Sequence, residues 1–274
     1  MKKWMYNVLI GVFIAVFVGS AGYLVYYLIA SGQEAKKYDN LQQIVEDNTV
    51  TPRPTINEDG TITPSDTPPK LVEVIDPETG ETVSVLPEFK DLYVQNNDIV
   101  GWLQIPGTDI NYPVMQTPDE PNYYLKRNFE KESSNHGCLY AQENCDVNAP
   151  SDNVVIYGHR MRDRSMFAQL DKFEKKEFWE ANPYIYFDTL TELHTYKIMA
   201  VFVTTATEGK GFPYHLFVNA ATEEEFNTFV KACEGYSLFD TGVEAQYGDK
   251  FITLSTCDYT TTHGRLVVVA KRLG

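Results

Sequence analysis

The sequence KFITLSTC, at residues 250–257, decides the fold of this chain and the chemistry expected of it. Side chains on a β strand alternate between its two faces. Ile252 and Leu254 therefore share one face, while Ser255 and Cys257 share the other, more polar face. The pattern predicts a cysteine at a strand end, where a ligand can reach it.

A second strand is predicted at residues 265–271, which read RLVVVAK, after a loop of residues 258–264. In an antiparallel pair, the end of the first strand lies beside the start of the second, so Cys257 and Arg265 become neighbours on one face. A guanidinium is permanently charged and stabilises a thiolate or an oxyanion, both of which acyl transfer needs. We therefore predict that Cys257 is the nucleophile of an enzyme that works through a thioester.

A nucleophilic cysteine also needs a proton partner, for which histidine is the usual residue. His159 follows a predicted apolar strand at residues 153–157, and Gly158 allows a sharp exit from that strand. His159 is therefore the candidate, with His263 in the loop beside Cys257 as its rival. The remaining histidines are interpreted as surface residues: His136, His194 and His215.

Composition excludes some classes of function. The chain has 274 residues and a formal net charge of -15, which argues against a broad phosphate-binding surface and hence against nucleic acid as a partner. Four cysteines in a chain of this length do not make a disulfide scaffold. Cys233 occupies an apolar helical position and is interpreted as core, whereas a disulfide between Cys138 and Cys145 is left open.

The N-terminal segment is apolar. Residues 4–30 carry no charged side chain, and about 20 such residues cross a bilayer core. Lys2 and Lys3 precede this run, which favours a cytoplasmic N-terminus. A cleaved signal peptide is the alternative, but the run is long for one and no clear cleavage site follows it.

Three regions are predicted along the chain. Residues 1–32 form a cytoplasmic tip and a transmembrane signal anchor. Residues 33–86 form a polar extracellular linker, because stretches such as TITPSDTPP at 61–69 are Pro/Thr-rich and lack apolar periodicity. Residues 87–274 form the catalytic region.

The catalytic region is predicted to be mainly β with helical additions. Strand-like segments are short, rich in Val, Ile, Tyr and Thr, and separated by turn residues. The chain therefore predicts a closed or nearly closed barrel. The predicted strands cover residues 100–105, 110–115, 137–141, 153–157, 184–188, 195–204, 250–257 and 265–271, and the predicted helices cover 87–96, 172–181 and 222–233.

These motifs together resemble those of sortases, the Gram-positive surface transpeptidases. The resemblance rests on TLSTC at 253–257, YGH at 157–159 and RLVV at 265–268, in the chain order His, Cys, Arg. NDIVGWL at 97–103, and NYPV and NYYL further on, are similar to class B members in particular. The similarity extends over most of residues 87–274.

The resemblance implies an eight-stranded β-barrel and a transpeptidase that cleaves a C-terminal sorting signal after threonine. Cys257 would attack the carbonyl, His159 would protonate the leaving amine, and Arg265 would steady the substrate and oxyanion. The resemblance also puts four residues along the substrate groove: Ser255, Tyr157, Leu125 and Asp258. It implies no metal and no organic cofactor.

The implied partners are surface proteins carrying the sorting signal and a peptidoglycan or lipid II amine that resolves the thioester. The enzyme would be a single-pass membrane protein with an extracellular catalytic region. Two alternatives stay open: a cysteine-dependent cell-wall or peptide hydrolase, and a non-catalytic surface binding module. Papain-like hydrolases place Cys before His in the chain, and His263 follows Cys257 too closely for that arrangement. The exact pentapeptide, the acceptor amine, the substrate proteins and the oligomeric state are not predicted.

Overall fold

The computed structural model describes residues 3–57, 60–207, 209–260 and 263–273. It divides into two compact units, Met1–Gln43 and Ile44–Gly274, the first of which begins with two residues outside the described part. The long helix α1 covers Lys3–Asn48. Of the helices in the described residues, it is the one with the length and apolar composition to cross a bilayer. Lys2, used above to orient the segment, lies outside the described residues.

A closed barrel of eight strands forms the core, which confirms the predicted fold class. The order around the barrel is β10, β12, β11, β8, β7, β6, β5 and β9. Each predicted strand corresponds to one barrel strand, and no end differs by more than two residues. The strands are β5 (Ile99–Gln104), β6 (Asn111–Met115), β7 (Leu139–Ala141), β8 (Asn153–Tyr157), β9 (Tyr184–Thr189), β10 (Thr195–Thr205), β11 (Phe251–Asp258) and β12 (Gly264–Leu273).

Helices lie where the apolar spacing predicts them. α4 (Glu223–Tyr236) is the longest in the barrel region, and the Thr222 hydroxyl caps it by accepting a hydrogen bond from the Glu225 amide. Its apolar residues pack inward because they recur at helical spacing. The shorter helices are α2 (Lys90–Gln95) and α3 (Lys176–Ala181), and 3-10 turns cover Pro87–Phe89, Tyr123–Lys126, Phe167–Glu174 and Tyr214–Leu216.

Two small hairpins occupy the stretch predicted as linker. One pairs β1 (Thr55–Ile56) with β2 (Ile62–Thr63), and the other pairs β3 (Val72–Ile75) with β4 (Thr82–Val85). In the second hairpin, Asp76 accepts hydrogen bonds from two turn amides, a local turn signal that composition alone does not capture. The stretch therefore contains ordered structure, while its role as a linker and the region boundaries stay predictions.

Strand direction decides where the site forms. β11 is parallel to β8 and antiparallel to β12. The end of β8, the end of β11 and the start of β12 consequently meet at one rim of the barrel. Residues that follow β8 and residues of the two C-terminal strands are thus brought together, although about 100 positions separate them in the chain.

Candidate active site

Cys257 and Arg265 are directly paired across β11 and β12, as predicted from the sequence. Both side chains are half-buried, so the sulfur remains accessible at the rim. The Arg265 guanidinium is held by its own loop, because Nη1 donates to the Gly264 carbonyl at 2.9 Å. The backbone pairing therefore puts a cationic residue opposite a partly exposed cysteine.

His159 lies just beyond the end of β8, at the same rim. The parallel ladder of β8 and β11 ends with Tyr157 opposite Ser255, and the Gly158 amide then donates to the Ser255 carbonyl at 3.2 Å. If the same register continued for two more residues, His159 would lie opposite Cys257. Its Nε2 lies 2.7 Å from the Leu125 carbonyl oxygen, and since a carbonyl only accepts, Nε2 carries a hydrogen.

Gly158 is needed for space rather than for an unusual backbone angle. A Cβ at this position would lie 2.5 Å from Leu139 Cδ2 and 2.7 Å from Phe167 Cδ2. Both neighbours are buried, so they have little room to yield. The glycine thus lets the strand leading to His159 pass close to two core side chains.

Two tyrosines surround the thiol and the guanidinium. The Tyr214 hydroxyl and Ser255 Oγ share a hydrogen bond of 2.6 Å, which ties the 3-10 turn Tyr214–Leu216 to β11. Burial raises the pKa of Tyr214, and it raises the pKa of Tyr140 to about 12, although the charge of Arg265 acts in the opposite direction on both. Both phenols are therefore neutral hydrogen-bonding groups near neutral pH.

The structure also places the four residues that the resemblance assigned to the groove. Ser255 is buried and engaged by Tyr214. The Tyr157 hydroxyl donates to Gln142 Oε1 at 2.6 Å. Leu125 is half-buried and supplies the carbonyl that meets His159. Asp258 is buried, with Oδ2 3.2 Å from Arg160 Nη1. These positions lie at or behind the rim, and contact with a substrate stays a prediction for all four.

The other histidines differ from the surface interpretation. His136 and His194 are buried, so that interpretation is wrong for both: Nε2 of His136 meets Asp163 Oδ2 at 2.8 Å. His215 is half-buried, and burial together with the charge of Arg265 lowers its pKa. His263, the rival proton partner, is exposed.

The remaining cysteines are sealed in the interior. Cys233 is fully buried, as predicted for a core position, and burial raises its pKa. Burial also raises the pKa of Cys145 to about 11. Cys138 and Cys145 both carry thiols, so no disulfide joins them in this structure. Cys257 is the one cysteine that solvent reaches.

Sequence reasoning missed the residues that reach the site from elsewhere in the chain. Tyr214 is 41 positions from Ser255, and Arg160 is 98 positions from Asp258. The aromatic stretch FPYHLF at 212–217 is a pattern that indicates packing, but it does not identify the strand that the stretch packs against. For Arg160, which directly follows the candidate histidine, charge alone gave no reason to expect a partner beside the cysteine.

Comparison with known proteins gives a consistent result. Residues 103–273 match the sortase domain family. Sortase B of Listeria monocytogenes is 32% identical over 186 residues, which covers 67% of this chain and 73% of that protein. Sortase B of Staphylococcus aureus is 30% identical over 189 residues, covering 68% and 75%.

Solved structures agree with the sequence relatives. The crystal structure of sortase B from Bacillus anthracis in complex with AAEK1 superposes with a TM-score of 0.69 at 30% identity, covering 90% of this chain and 99% of that chain. The Staphylococcus aureus sortase B–substrate complex gives a TM-score of 0.69 at 26% identity, covering 89% and 98%. Since the matched domain spans more than half of the sequence, and its relatives are class B enzymes, this chain belongs to the sortase family as a class B sortase-type cysteine transpeptidase.

Proposed function

We propose that this sortase cleaves a C-terminal sorting signal after threonine and joins the substrate protein to a cell-wall amine through a thioester on Cys257. In this proposal His159 moves the proton and Arg265 stabilises negative charge. The single observation that carries it is the meeting of three groups at one rim: a half-exposed thiol, a cation paired with it across β11 and β12, and an imidazole at the end of the parallel strand β8.

The reaction has two acyl-transfer steps. The Cys257 thiolate attacks the threonine carbonyl carbon, the peptide C–N bond breaks, and the leaving amine takes a proton from His159. An acceptor amine then attacks the thioester carbonyl and passes a proton to His159, and the C–S bond breaks to release the thiolate. The Arg265 guanidinium stabilises the oxyanion in both steps because its charge is fixed beside the sulfur.

The proton-transfer role of His159 is supported by how its ring is held. The Leu125 carbonyl fixes Nε2, so the imidazole has one orientation relative to the rim. Because the Nε2 hydrogen is held by Leu125, Nδ1 is the nitrogen left to exchange a proton with the amine, and general acid–base catalysis requires such a defined position. The carbonyl of Leu125 thus orients the imidazole, besides any contact that its side chain makes with a substrate.

The groove is proposed to run along the rim past Leu125, Tyr157 and Ser255, as the resemblance implies. The fourth predicted groove residue, Asp258, already uses its carboxylate inside the protein and has the least capacity left for a substrate. The partners proposed are surface proteins with a sorting signal, and a peptidoglycan or lipid II amine as acceptor.

The proposed location is the cell surface. Residues 1–32 would hold a cytoplasmic tip and a single transmembrane helix, residues 33–86 would form the extracellular connection, and residues 87–274 would carry the chemistry. The apolar N-terminal half of α1 supports this arrangement by its length and composition. An extracellular catalytic region also suits a substrate that becomes attached to the cell wall.

The experiment is a cleavage screen of threonine-containing pentapeptides by the full chain in detergent, with and without an added amine. We expect an amine-linked product, and a thioester on Cys257 detectable by intact mass. Cys257→Ala, His159→Ala and Arg265→Ala should each lose at least 100-fold in kcat/KM.

Arg272→Ala is the matched control for Arg265→Ala, because Arg272 lies on the same strand at the opposite end of the barrel and should leave turnover unchanged. Full cleavage activity of Cys257→Ala would rule out the thioester route, whereas a wild-type chain that cleaves no peptide would favour a binding module. Release of the free acid alone, even with amine in excess, would favour a hydrolase.

A further inference from the structure

The backbone ladder that aligns β8 with β11 stops before the two candidate catalytic residues. Its last pair is Tyr157 with Ser255, followed by the bond from the Gly158 amide to the Ser255 carbonyl. The Thr256 hydroxyl adds one more bond, to the Gly158 carbonyl at 2.8 Å. Beyond that point no ladder bond between β8 and β11 is present in the described residues, so side chains must hold the two chain segments together.

One side-chain pair spans this gap. Arg160 directly follows His159, and Asp258 directly follows Cys257. Arg160 Nη1 donates to Asp258 Oδ2 at 3.2 Å, and the Asp258 carboxylate is almost fully shielded from solvent. The pair therefore joins the residue after the imidazole to the residue after the thiol, in a place where water screens it poorly.

Both partners are fixed by further contacts. The other carboxylate oxygen of Asp258 accepts from the Thr260 amide at 2.8 Å and also from the Thr260 hydroxyl. Arg160 is held by its backbone as well, because its carbonyl accepts a hydrogen bond of 3.2 Å from the Tyr259 hydroxyl. The loop after Cys257 and the segment after His159 thus contact each other through several bonds around one ion pair.

Arg160 also bridges a second carboxylate. Its Nη2 lies 3.2 Å from Asp171 Oδ2 in the 3-10 turn Phe167–Glu174, so its two terminal nitrogens contact two different segments. Arg164 binds the same Asp171 through both of its terminal nitrogens, and among the described residues it has no hydrogen bond to Asp258. Arg164 consequently shares the carboxylate cluster without joining the two strands.

We propose that Arg160 and Asp258 are a positioning pair that holds the imidazole of His159 and the thiol of Cys257 in reacting register. The inference rests on the proposed function, because it gives those two side chains their catalytic roles. It assigns Asp258 an internal task in place of a substrate contact. Neither residue touches the reacting atoms in this assignment.

The expected effect is on turnover rather than on binding. A displacement of about 1 Å between reacting groups costs on the order of 100-fold in rate. We therefore expect Arg160→Met to lower kcat by about 10- to 100-fold on the cleaved pentapeptide, with KM within about threefold. Arg160→Lys should recover part of the loss, since a single ammonium can still reach Asp258 but cannot bridge both carboxylates.

A double-variant comparison separates a pair from two independent sites. Asp258→Asn keeps the shape of the side chain and an acceptor for the Thr260 amide, while it removes the charge. If the two residues act as one unit, the double variant Arg160→Met, Asp258→Asn should lose about as much kcat as either single variant. Losses that multiply in the double variant would overturn the proposal.

Alkylation of Cys257 by iodoacetamide at pH 7 tests the geometry without any substrate. Removing a nearby positive charge and removing a nearby negative charge act on a thiolate in opposite directions, so a direct charge effect would change the rates of Arg160→Met and Asp258→Asn oppositely. Displacement should slow both by at least threefold. Rates that change in opposite directions, or that stay equal to wild type, would contradict the positioning role.

The controls keep this test distinct from that of the proposed function. Arg164→Met should leave kcat and the alkylation rate within twofold of wild type, and melting temperatures should show that each variant is folded. Retained turnover in Cys257→Ala would overturn the proposed function, while the alkylation comparison would still report on the pair. Loss of turnover in Cys257→Ala combined with normal kcat in Arg160→Met would overturn the pair alone.

Discussion

An ion pair between Arg53, in the segment predicted as linker, and Asp188 of the barrel gives the sharpest stability prediction. Arg53 donates from both terminal nitrogens to Asp188 on β9, with Nη1 to Oδ1 at 2.9 Å, and it lies over the Tyr186 ring. The Asp188 side chain is 6% exposed, while that of Arg53 is 31% exposed. Arg53→Met removes the charge but keeps most of the apolar stem.

The magnitude follows from what Asp188 does without its partner. Burial raises the pKa of this carboxyl, and Arg53 is the charge that opposes the shift. In the variant, Asp188 binds a proton and so avoids being buried as an unpaired charge. This protonation lowers the free energy of unfolding by about 1.4 kcal/mol for each pH unit above the unfolded-state pKa of the carboxyl. That sets a ceiling of about 4 kcal/mol at pH 7 and under about 2 kcal/mol at pH 5. Because Arg53 is partly solvated, we expect a loss of about 3 kcal/mol at pH 7.

The sign of the pH dependence is part of this prediction. With the folded-state pKa of Asp188 raised above its unfolded value, the folded variant binds more protons than the unfolded chain. The contribution of Asp188 to the stability of the variant is therefore greatest at low pH and is lost as pH rises towards the folded-state pKa. The deficit relative to wild type should grow between pH 5 and pH 7.

Urea unfolding of the full chain in detergent, followed through the buried Trp102 and Trp179, measures this deficit at the two pH values. Arg164→Met is the matched control, since Arg164 makes the same two-nitrogen contact with Asp171 but its side chain is 50% exposed. That variant should lose less than about 1 kcal/mol. An equal loss in both variants, or a deficit for Arg53→Met that does not change with pH, would refute the reasoning.

Three further predictions follow from burial and close packing. Gly158→Ala forces a methyl group against Leu139 and Phe167 and should destabilise the fold by about 1–3 kcal/mol, measured by urea unfolding. It should also lower kcat in peptide cleavage. Normal turnover would show that the strand moves to accommodate the methyl group without disturbing the site. Burial, assisted by the charge of Arg272, lowers the pKa of His194 to about 4. The contribution of His194 to stability, at most about 3 kcal/mol, should therefore be present above pH 6.5 and lost as pH falls towards 4. A His194→Gln variant whose stability changes with pH in the same way as wild type over that range would contradict this. Under native conditions a thiol reagent should label one cysteine per chain, Cys257, as read by intact mass, and labelling of a second would show that the core opens. The protected thiols are Cys138, Cys145 and Cys233, which are at most 5% exposed.

The sequence supports the barrel strands well because their pattern is local. Alternation of side chains in residues 250–257, and the apolar run that follows, identifies two strands whose connection is only a short loop. Such neighbours pair antiparallel, so the position of Cys257 opposite Arg265 could be predicted before any coordinates. The observed register confirms it.

The hairpins before the barrel were harder to predict because their order is not marked by a local pattern. Residues 61–69 are polar and proline-rich, and a segment with so little apolar surface has no period that indicates order. The wider segment predicted as linker, residues 33–86, also contacts distant parts of the chain, as Arg53 does with Asp188, 135 positions away. The composition of a segment shows how little apolar surface it has, but it does not show which contacts distant residues make with it.

Local sequence patterns therefore predict the strands, the apolar N-terminal helix and the candidate catalytic residues, because each pattern depends on neighbouring positions. Which of these residues lie close together depends on the tertiary structure. The parallel alignment of β8 with β11 puts the strand ends that precede His159 and Cys257 at one rim, and the segments beyond the ladder are joined by Arg160 and Asp258. Contacts of that kind depend on how the barrel closes, and no local pattern of side chains encodes the closure.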